Sequence, residues 1–193
     1  MNEDPYIDEP KLHEAVGAAI MAWAHIEYIL TSIFQSCSRI DSRLASEIMG
    51  TLRSFDPKLE MADKAVVELF SDTGSEARKD WKLLVAELTR QSAARNRIVH
   101  STAMAVEGKK LMIAPFFNPY RRSKYISITD IKSSATEFKQ CSWALSWFET
   151  HHIYAAMKLT APGWPVPPIL LRLRKERDQN LASRKPRGRS SFQ

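Results

Sequence analysis

Apolar positions recur at helical spacing over most of the chain. The first such segment, 11–37, alternates in steps of four and three residues, which places one set of side chains on a single helical face. That face comprises Val16, Ile20, Trp23, Leu30, Phe34 and Cys37. Glu27 falls in the middle of the same face, where a carboxylate is unusual. The pattern therefore predicts a long first helix with one internal acid.

Further helices are predicted from the same period. Segments 41–52 and 56–70 indicate two shorter helices, the second with Asp56 as a candidate cap and Pro57 in its first turn. Segment 75–101 indicates a long helix. Its apolar face comprises Trp81, Leu84, Val85, Leu88, Ser92, Arg95 and Val99. Because a buried Arg95 would need an anionic partner, Glu27 on the first helix is the natural candidate.

The period changes after this helix. Residues 104–115 and 124–129 contain short β-type stretches, with a candidate turn at 107–110 and an irregular basic loop between them. A last long helix is expected over 130–159, with Thr129 as a simple cap. That helix is apolar on more than one side, and either packing within the monomer or a second protomer can cover it. The predicted fold is an all-α antiparallel bundle with a small β-hairpin at about 104–129.

Charge and proline content indicate how the chain is organised beyond the bundle. The Pro-rich stretch at 161–168 ends the helical domain, which we place at 1–160. A Pro-rich linker and basic tail are expected over 161–193, with a short arm at 169–181. From Arg172 onward, eight Lys and Arg stand against two Asp and Glu, which accounts for the whole net charge of +6. Only the tail is therefore suited to bind polyanions in general.

Two features bear on cellular location. Cys37 and Cys141 each fall within an apolar helical pattern, which predicts two buried thiols in a reducing compartment. The N-terminus is acidic and lacks the layout of a secretory signal, and the most apolar early run, 18–24, is too short to span a bilayer. We expect a cytoplasmic protein that does not insert into a membrane.

Candidate chemistry concentrates at the end of the helix over 75–101. Asn96 and His100 are four residues apart and therefore share one helical face. His100 also falls where the helix should end, and the negative end of the helix dipole favours a protonated imidazole. A proton donor at that place suits acid catalysis near neutral pH.

The string Arg95-Asn96-x-x-x-His100 resembles the signature of HEPN ribonucleases, in which Arg precedes His by a short helical spacing, commonly with Asn after the Arg. The resemblance covers about 11–159, including the long first helix with its internal acid. It implies cleavage of single-stranded RNA without metal or cofactor, leaving a 2′,3′-cyclic phosphate and a 5′-OH. In these roles His100 is a general acid or base, Arg95 stabilises phosphoryl charge, Asn96 orients His100 or the 2′-OH, and Glu27 holds Arg95.

The resemblance also implies a partner. Residues five apart point about 140° away from each other on a regular helix, so Arg95 and His100 do not converge within one undistorted chain. A symmetric homodimer, with two motifs facing one cleft, is the family's solution and our expectation, through the 75–101 helix and the aromatic residues of the last helix. A protein inhibitor is a further candidate partner, and a toxin or defence role follows from analogy alone.

Other side chains near the motif are candidates for lining an RNA path. They are Arg97, Lys109, Lys110, Tyr120, Arg121 and Arg122. A solvated loop is the alternative interpretation of these residues. No metal is expected, because the adjacent His151 and His152 point to different sides of a helix and cannot share an ion as an i, i+4 pair does.

A purely structural interpretation of the motif is also open. Arg95 and Glu27 can form an ion pair that fixes helix register, and His100 can be a C-cap. Asn96 can be an ordinary surface residue. The alternative function is then a non-catalytic HEPN-like module that dimerises and binds RNA or a protein partner.

Overall fold

Most of the described chain is helical, as the sequence predicts. A computed structural model describes residues 9–71, 75–106, 110–115, 126–160 and 163–183, with only the backbone for residue 9 and the strands. The helices are α1 (Glu9–Ser38), α2 (Ser42–Thr51), α3 (Phe55–Leu69), α4 (Glu76–Val99), α5 (Ile128–Phe148), α6 (Tyr154–Ala156) and α7 (Pro168–Ser183). Two strands, β1 (Ser101–Val106) and β2 (Lys110–Pro115), lie between α4 and α5.

α1 lies at the centre of the bundle, packed against α3 and α5. Trp23, Leu30 and Phe34 of its predicted face are buried, whereas Ile20 is exposed. The buried surface is wider than the predicted stripe because neighbours cover α1 from two sides. It also takes in Leu12, Ala15, Ala19, Ala22, Ile26, Ile29 and Ile33. The core of the bundle is therefore organised around this helix.

The length of α1 bears on the membrane question. The 29 residues from Pro10 to Ser38 are long enough to cross a bilayer, and an 18-residue stretch within them is apolar enough, with a mean hydropathy of 1.4. The early run 18–24 thus belongs to a longer apolar helix than the sequence analysis considered. The core helix of a soluble protein passes the same test, so this finding does not separate the two cases. A cytoplasmic location stays a prediction.

The region after α4 differs in detail from the expected pattern. α4 ends at Val99, and β1 starts at Ser101 rather than at 104. β1 and β2 pair in antiparallel register from Ser101 opposite Pro115 to Val106 opposite Lys110. Lys110 therefore lies in a strand and not in the expected turn. The second expected β-type stretch, 124–129, is no strand where the structure describes it, because α5 already begins at Ile128.

Two helix starts were assigned to the wrong residue. α5 is capped by Ser127, whose Oγ accepts a hydrogen bond from Asp130 N at 3.1 Å while Asp130 Oδ2 accepts from Ser127 N at 2.9 Å. This capping box displaces the predicted cap Thr129 into the first turn. Likewise Asp56 lies inside the first turn of α3, which begins after Ser54.

The last predicted long helix is interrupted. α5 passes at Glu149–Ile153 into one π-helical turn, followed by the short α6. A π turn inserts an extra residue into the helical repeat and so rotates the side chains that follow. Glu149 and Ile153, the first and last residues of the π turn, are buried.

α7 is docked on the bundle. Ile169, Leu170 and Leu173 are buried, and the helix packs against α4 and α5. The described part of 161–193 is therefore continuous with the body, whereas the sequence indicated a separate linker and tail. Residues 184–193, which carry the remaining basic charges of the tail, lie outside the described part of the chain.

Candidate functional site

Arg95 lines an open cleft between α4 and α1. The cleft has a volume of about 170 Å³, and α1 contributes Ile20, Trp23, Ala24 and Glu27 to its walls. Arg95 is half-buried there, and its Nη1 donates a hydrogen bond to Asn96 Oδ1 at 3.0 Å. The structure thus brings the predicted Arg95, Asn96 and Glu27 to one place.

The predicted ion pair between Glu27 and Arg95 is wrong. Glu27 Oε2 accepts a hydrogen bond from Lys58 Nζ at 2.6 Å, and Glu27 Oε1 accepts one from Trp23 Nε1 at 3.0 Å. The reason is that α3 packs against α1 and brings Lys58 to the carboxylate. Lys58 was missed because nothing in its local sequence marks it as the partner of an acid on another helix.

His100 terminates α4 as its C-cap residue. Its backbone N–H donates to Asn96 O at 3.0 Å, and its side chain is exposed, as is that of Asn96. The imidazole is therefore open to solvent at the helix end. Arg95 lines the cleft against α1 instead, and within the described chain no hydrogen bond joins the two side chains.

The exposed face of α4 that carries Asn96 and His100 contains polar, small and charged residues. It comprises Lys82, Ala86, Thr89, Ala93, Asn96 and His100, which follow in steps of three and four, with the exposed Arg97 beside Ala93. Asn96 and His100 share this face, as their spacing predicted.

Arg97 lies on another side of α4 from Arg95. It lines a polar cleft of about 400 Å³ between α4 and α5, together with Asp130 and Glu137. Hydrogen bonds from Ser127 hold the pKa of Asp130 below its usual value, and Arg97 contributes to the same effect. Arg97 is thus in an acidic setting and does not line the Arg95 cleft.

The remaining predicted RNA contacts cannot be placed in the cleft. Lys109, Tyr120, Arg121 and Arg122 lie outside the described residues, and for Lys110 the backbone alone is described. Their role stays a prediction.

The two cysteines lie wholly or partly inside the fold. Cys141 is buried and Cys37 is half-buried, and both are free thiols. Burial raises the pKa of each to about 12, so both stay protonated at neutral pH. Neither is suited to act as a nucleophile.

A buried ion network, which the sequence analysis missed, joins α7 to α4. Asp80 is fully buried, its Oδ1 accepts from Arg174 Nε at 2.8 Å, and its Oδ2 lies 3.0 Å from His152 Nε2. Burial by itself would raise the pKa of Asp80, but the hydrogen bonds from His152 and Arg174 bring it below the usual value. His151 turns elsewhere, with Nδ1 3.1 Å from Trp147 O.

A second buried acid lies in the π turn. Glu149 Oε1 accepts hydrogen bonds from Ser32 Oγ at 2.6 Å and Ser36 Oγ at 3.1 Å. Burial raises the pKa of Glu149 more than these two hydrogen bonds lower it. The side chain ties the π turn to α1.

Comparison with known proteins adds no relative. No family model matches the chain, and no match was found among the curated proteins or among the solved structures. The resemblance to HEPN ribonucleases accordingly rests on the motif and its surroundings.

Proposed function

We propose that this protein is a metal-independent endoribonuclease that cleaves single-stranded RNA by attack of the ribose 2′-OH on the adjacent phosphorus. The observation that carries the proposal is an Arg95 guanidinium that is hydrogen-bonded to Asn96 beside an open cleft, at the same helix end as the exposed His100. A guanidinium is suited to bind phosphoryl oxygens, and an imidazole can serve as a general acid or base.

The pairing of Glu27 with Lys58 supports this use of Arg95. Because Lys58 neutralises the carboxylate, the charge of Arg95 is not consumed by an ion pair in the cleft. The hydrogen bond to Asn96 engages one N–H of Arg95, and a guanidinium has five. Donors therefore remain for an anionic ligand.

The reaction needs two proton transfers. The 2′-OH gives up its proton as its oxygen bonds to phosphorus, and the 5′-oxygen takes up a proton as its bond to phosphorus breaks. The products are a 2′,3′-cyclic phosphate and a 5′-OH. We assign one of these transfers to His100, the other to a solvent water molecule, and the stabilisation of the phosphoryl oxygens to Arg95.

A homodimer is part of the proposal. Arg95 and His100 diverge by about 140° on α4, so a single chain does not direct both at one phosphate. In the dimer that we propose, the second chain packs near the exposed end of α4, so that Arg95 of one chain and His100 of the other contribute to one site. A cytoplasmic toxin or defence effector, held by a protein inhibitor, accords with such an enzyme by analogy.

The same divergence favours a second candidate function. If the chain does not dimerise, the cleft and the exposed His100 are suited to binding only. The protein would then be a non-catalytic module for RNA or a protein partner.

The test is cleavage of end-labelled single-stranded RNA in the presence of EDTA. We expect fragments with cyclic-phosphate ends. His100→Asn keeps a residue type common at helix C-termini but cannot titrate, and should lower the rate about 10²- to 10⁴-fold. Arg95→Ala should lower it about 10²- to 10³-fold. Arg43→Ala, which removes an exposed arginine on α2, is the matched control and should leave the rate within about twofold.

Each outcome separates the candidates. Intact RNA that stays bound to the wild-type protein supports the non-catalytic module. Cleavage that survives in His100→Asn contradicts the proposed role of His100. Cleavage only with added magnesium contradicts the metal-independent reaction.

A further inference from the structure

A further cavity opens on the other side of α1 from the Arg95 cleft, and its walls are largely aromatic. We call it the tryptophan groove. It has a volume of about 440 Å³, and its lining residues are His25, Ser142, Trp143, Ser146, Trp164 and Pro165. Trp143 and Trp164 are 40% and 47% exposed, whereas the other three tryptophans of the chain are at most 5% exposed. Two large aromatic faces are thus left open to solvent at one cavity.

The groove is built from fixed elements. Trp143 stands on α5, and the backbone of Trp164 is held to α5 because Trp147 Nε1 donates to Trp164 O at 3.3 Å. Pro165 and Pro167 restrict the backbone on the other side of Trp164, and Pro167 is buried. A cavity formed by such elements exists before a ligand binds, as is usual for ligand sites.

The lining indicates an uncharged, planar ligand. Among the residues that the structure describes, no acidic side chain, lysine or arginine lines the groove, so these residues offer no partner for an isolated charge. The polar groups that they contribute are the His25 imidazole and two serine hydroxyls. Ser142 Oγ donates to Lys139 O at 2.9 Å and keeps its acceptor capacity. Stacking on indole with a hydrogen bond to a ring edge is how proteins bind unstacked nucleobases.

The groove lies close to the candidate nuclease site. Ala24 lines the Arg95 cleft, and its neighbour His25 lines the groove. At about 100° per residue, the exposed Met21 and Tyr28 fall between them on α1, so the two cavities flank one exposed helix about 10 Å across. The Tyr28 ring is nearly parallel to the His25 ring, with 6.2 Å between the centroids. Aromatic side chains therefore continue from the groove onto the exposed face of α1.

We propose that the tryptophan groove binds one unstacked base of the RNA whose phosphate lies at Arg95. This inference rests on the proposed function, because it assigns a base subsite to the same substrate. Binding through a ring face is tolerant of sequence, so the groove would select single-stranded over double-stranded RNA more than one base over another.

The experiment measures affinity for a short fluorescently labelled single-stranded RNA by anisotropy. The full chain carries His100→Asn to prevent cleavage. Trp143→Leu and Trp164→Leu are each expected to weaken binding between about fivefold and a hundredfold, the range of stacking energies per base. Leu44→Ala, an equally exposed apolar residue on α2, is the control and should not change affinity. Circular dichroism checks that each variant is folded, as expected for exposed positions.

A matched ligand extends the test. The reference protein, which carries His100→Asn alone, should bind an oligomer of the same length without bases more weakly than it binds the RNA. The two tryptophan variants should bind this oligomer with the same affinity as the reference protein does. Equal affinity of the parent for both oligomers, or unchanged affinity in both tryptophan variants, overturns the base subsite. If a proline-rich peptide or free indole binds in the groove and RNA does not displace it, the base subsite is overturned as well.

Failure of this inference can be told apart from failure of the proposed function. If the wild type cleaves RNA and the tryptophan variants bind it normally, the subsite fails and the nuclease stands. If the wild type binds RNA through the two tryptophans but never cleaves it, the nuclease fails and the subsite stands.

Discussion

Glu27 shows how a charge in an apolar helical face is accommodated. Its carboxylate is held by Lys58 and by the indole of Trp23. The side chains of Lys58 and Glu27 are only 20% and 24% exposed, so solvent screens this pair less than it screens a surface pair. Removing Lys58 would leave a largely buried carboxylate with Trp23 as its donor, close to Arg95.

Lys58→Ala should therefore destabilise the protein more than a typical surface substitution. We expect the free energy of unfolding to fall by about 1.5 to 3 kcal/mol, the range for a hydrogen bond to a charged group. Urea denaturation monitored by circular dichroism measures it. Lys64→Ala, which removes an exposed pair with Glu60 on the same helix, should change stability by less than about 1 kcal/mol. Equal losses in the two variants would show that the Glu27 pair contributes no more than a surface pair.

At this scale, local geometry could be predicted and distant partners could not. The four-residue spacing of Asn96 and His100 placed both on one face because the helical repeat fixes it. The partner of Glu27 lies 31 residues away on another helix, and only the packing of α3 on α1 determines that contact. The tryptophan groove was missed for the same reason, since Trp143 and Trp164 meet only through the fold.

At the scale of elements, α7 is held to the bundle by apolar and ionic contacts together. Leu170 and Leu173 are buried, Arg174 donates to the buried Asp80, and Arg172 Nη2 lies 3.4 Å from Glu87 Oε1. Two of the basic residues that the sequence assigned to a polyanion-binding tail thus neutralise acids of the body. The part of the excess charge that is free for other partners is smaller than composition indicates.

Asp80→Asn should loosen the docking of α7 and reduce the acid sensitivity of the protein. The pKa of Asp80 is lower in the fold than in the unfolded chain, so its contribution to stability is present above the unfolded value of about 3.9 and is lost as the pH falls through the lower folded value. At pH 7 we expect a loss of about 3 kcal/mol, the lower end of the range for breaking a buried ion pair, because Arg174 is partly exposed. Below about pH 4 the difference in the free energy of unfolding between Asp80→Asn and wild type should become smaller.

Urea denaturation at pH 7, 5, 4 and 3 measures this effect. Asp178→Asn, an exposed aspartate on α7, is the control and should follow the wild-type pH profile with little loss of stability. If the free energies of unfolding of wild type and Asp80→Asn differ by the same amount at every pH in this range, the ionised Asp80 carboxylate is not the source of the stabilisation.

The limits of a helix could be predicted from the sequence only where the apolar residues follow one regular helical spacing. α1 to α4 lie within about two residues of their expected limits, because their apolar spacing is regular. The start of α5 was displaced by the Ser127–Asp130 capping box, whose reciprocal bonds outweigh the simpler Thr129 cap. The π turn at Glu149–Ile153 could not be anticipated, since it is associated with burial of Glu149 against Ser32 and Ser36 of α1.

At the scale of the whole molecule, the question is how two chains would share one phosphate. The Arg95 cleft faces α1, whereas Asn96 and His100 lie on the exposed face of α4. The tryptophan groove lies on the opposite side of α1 from the Arg95 cleft. In the proposed dimer, the second protomer would therefore have to bring its His100 to the Arg95 cleft and leave the tryptophan groove open to the same RNA strand.

Ala93→Arg tests this arrangement, because Ala93 lies at the centre of the exposed α4 face, one turn before Asn96. A long charged side chain there would separate two closely packed helices, and two such charges would repel each other across a twofold axis. We expect the dissociation constant of the dimer to increase at least about tenfold, which corresponds to about 1.4 kcal/mol. The rate of RNA cleavage should fall in proportion to the dimer fraction. Ala155→Arg, at an exposed alanine on α6, is the matched control and should alter neither property.

Analytical ultracentrifugation over a concentration series gives the dimer fraction, and the cleavage assay gives activity in the same samples. A wild-type protein that cleaves RNA as a monomer at all concentrations would contradict the shared site, and Arg95 and His100 of one chain would then have to reach the phosphate by deformation of the α4 terminus.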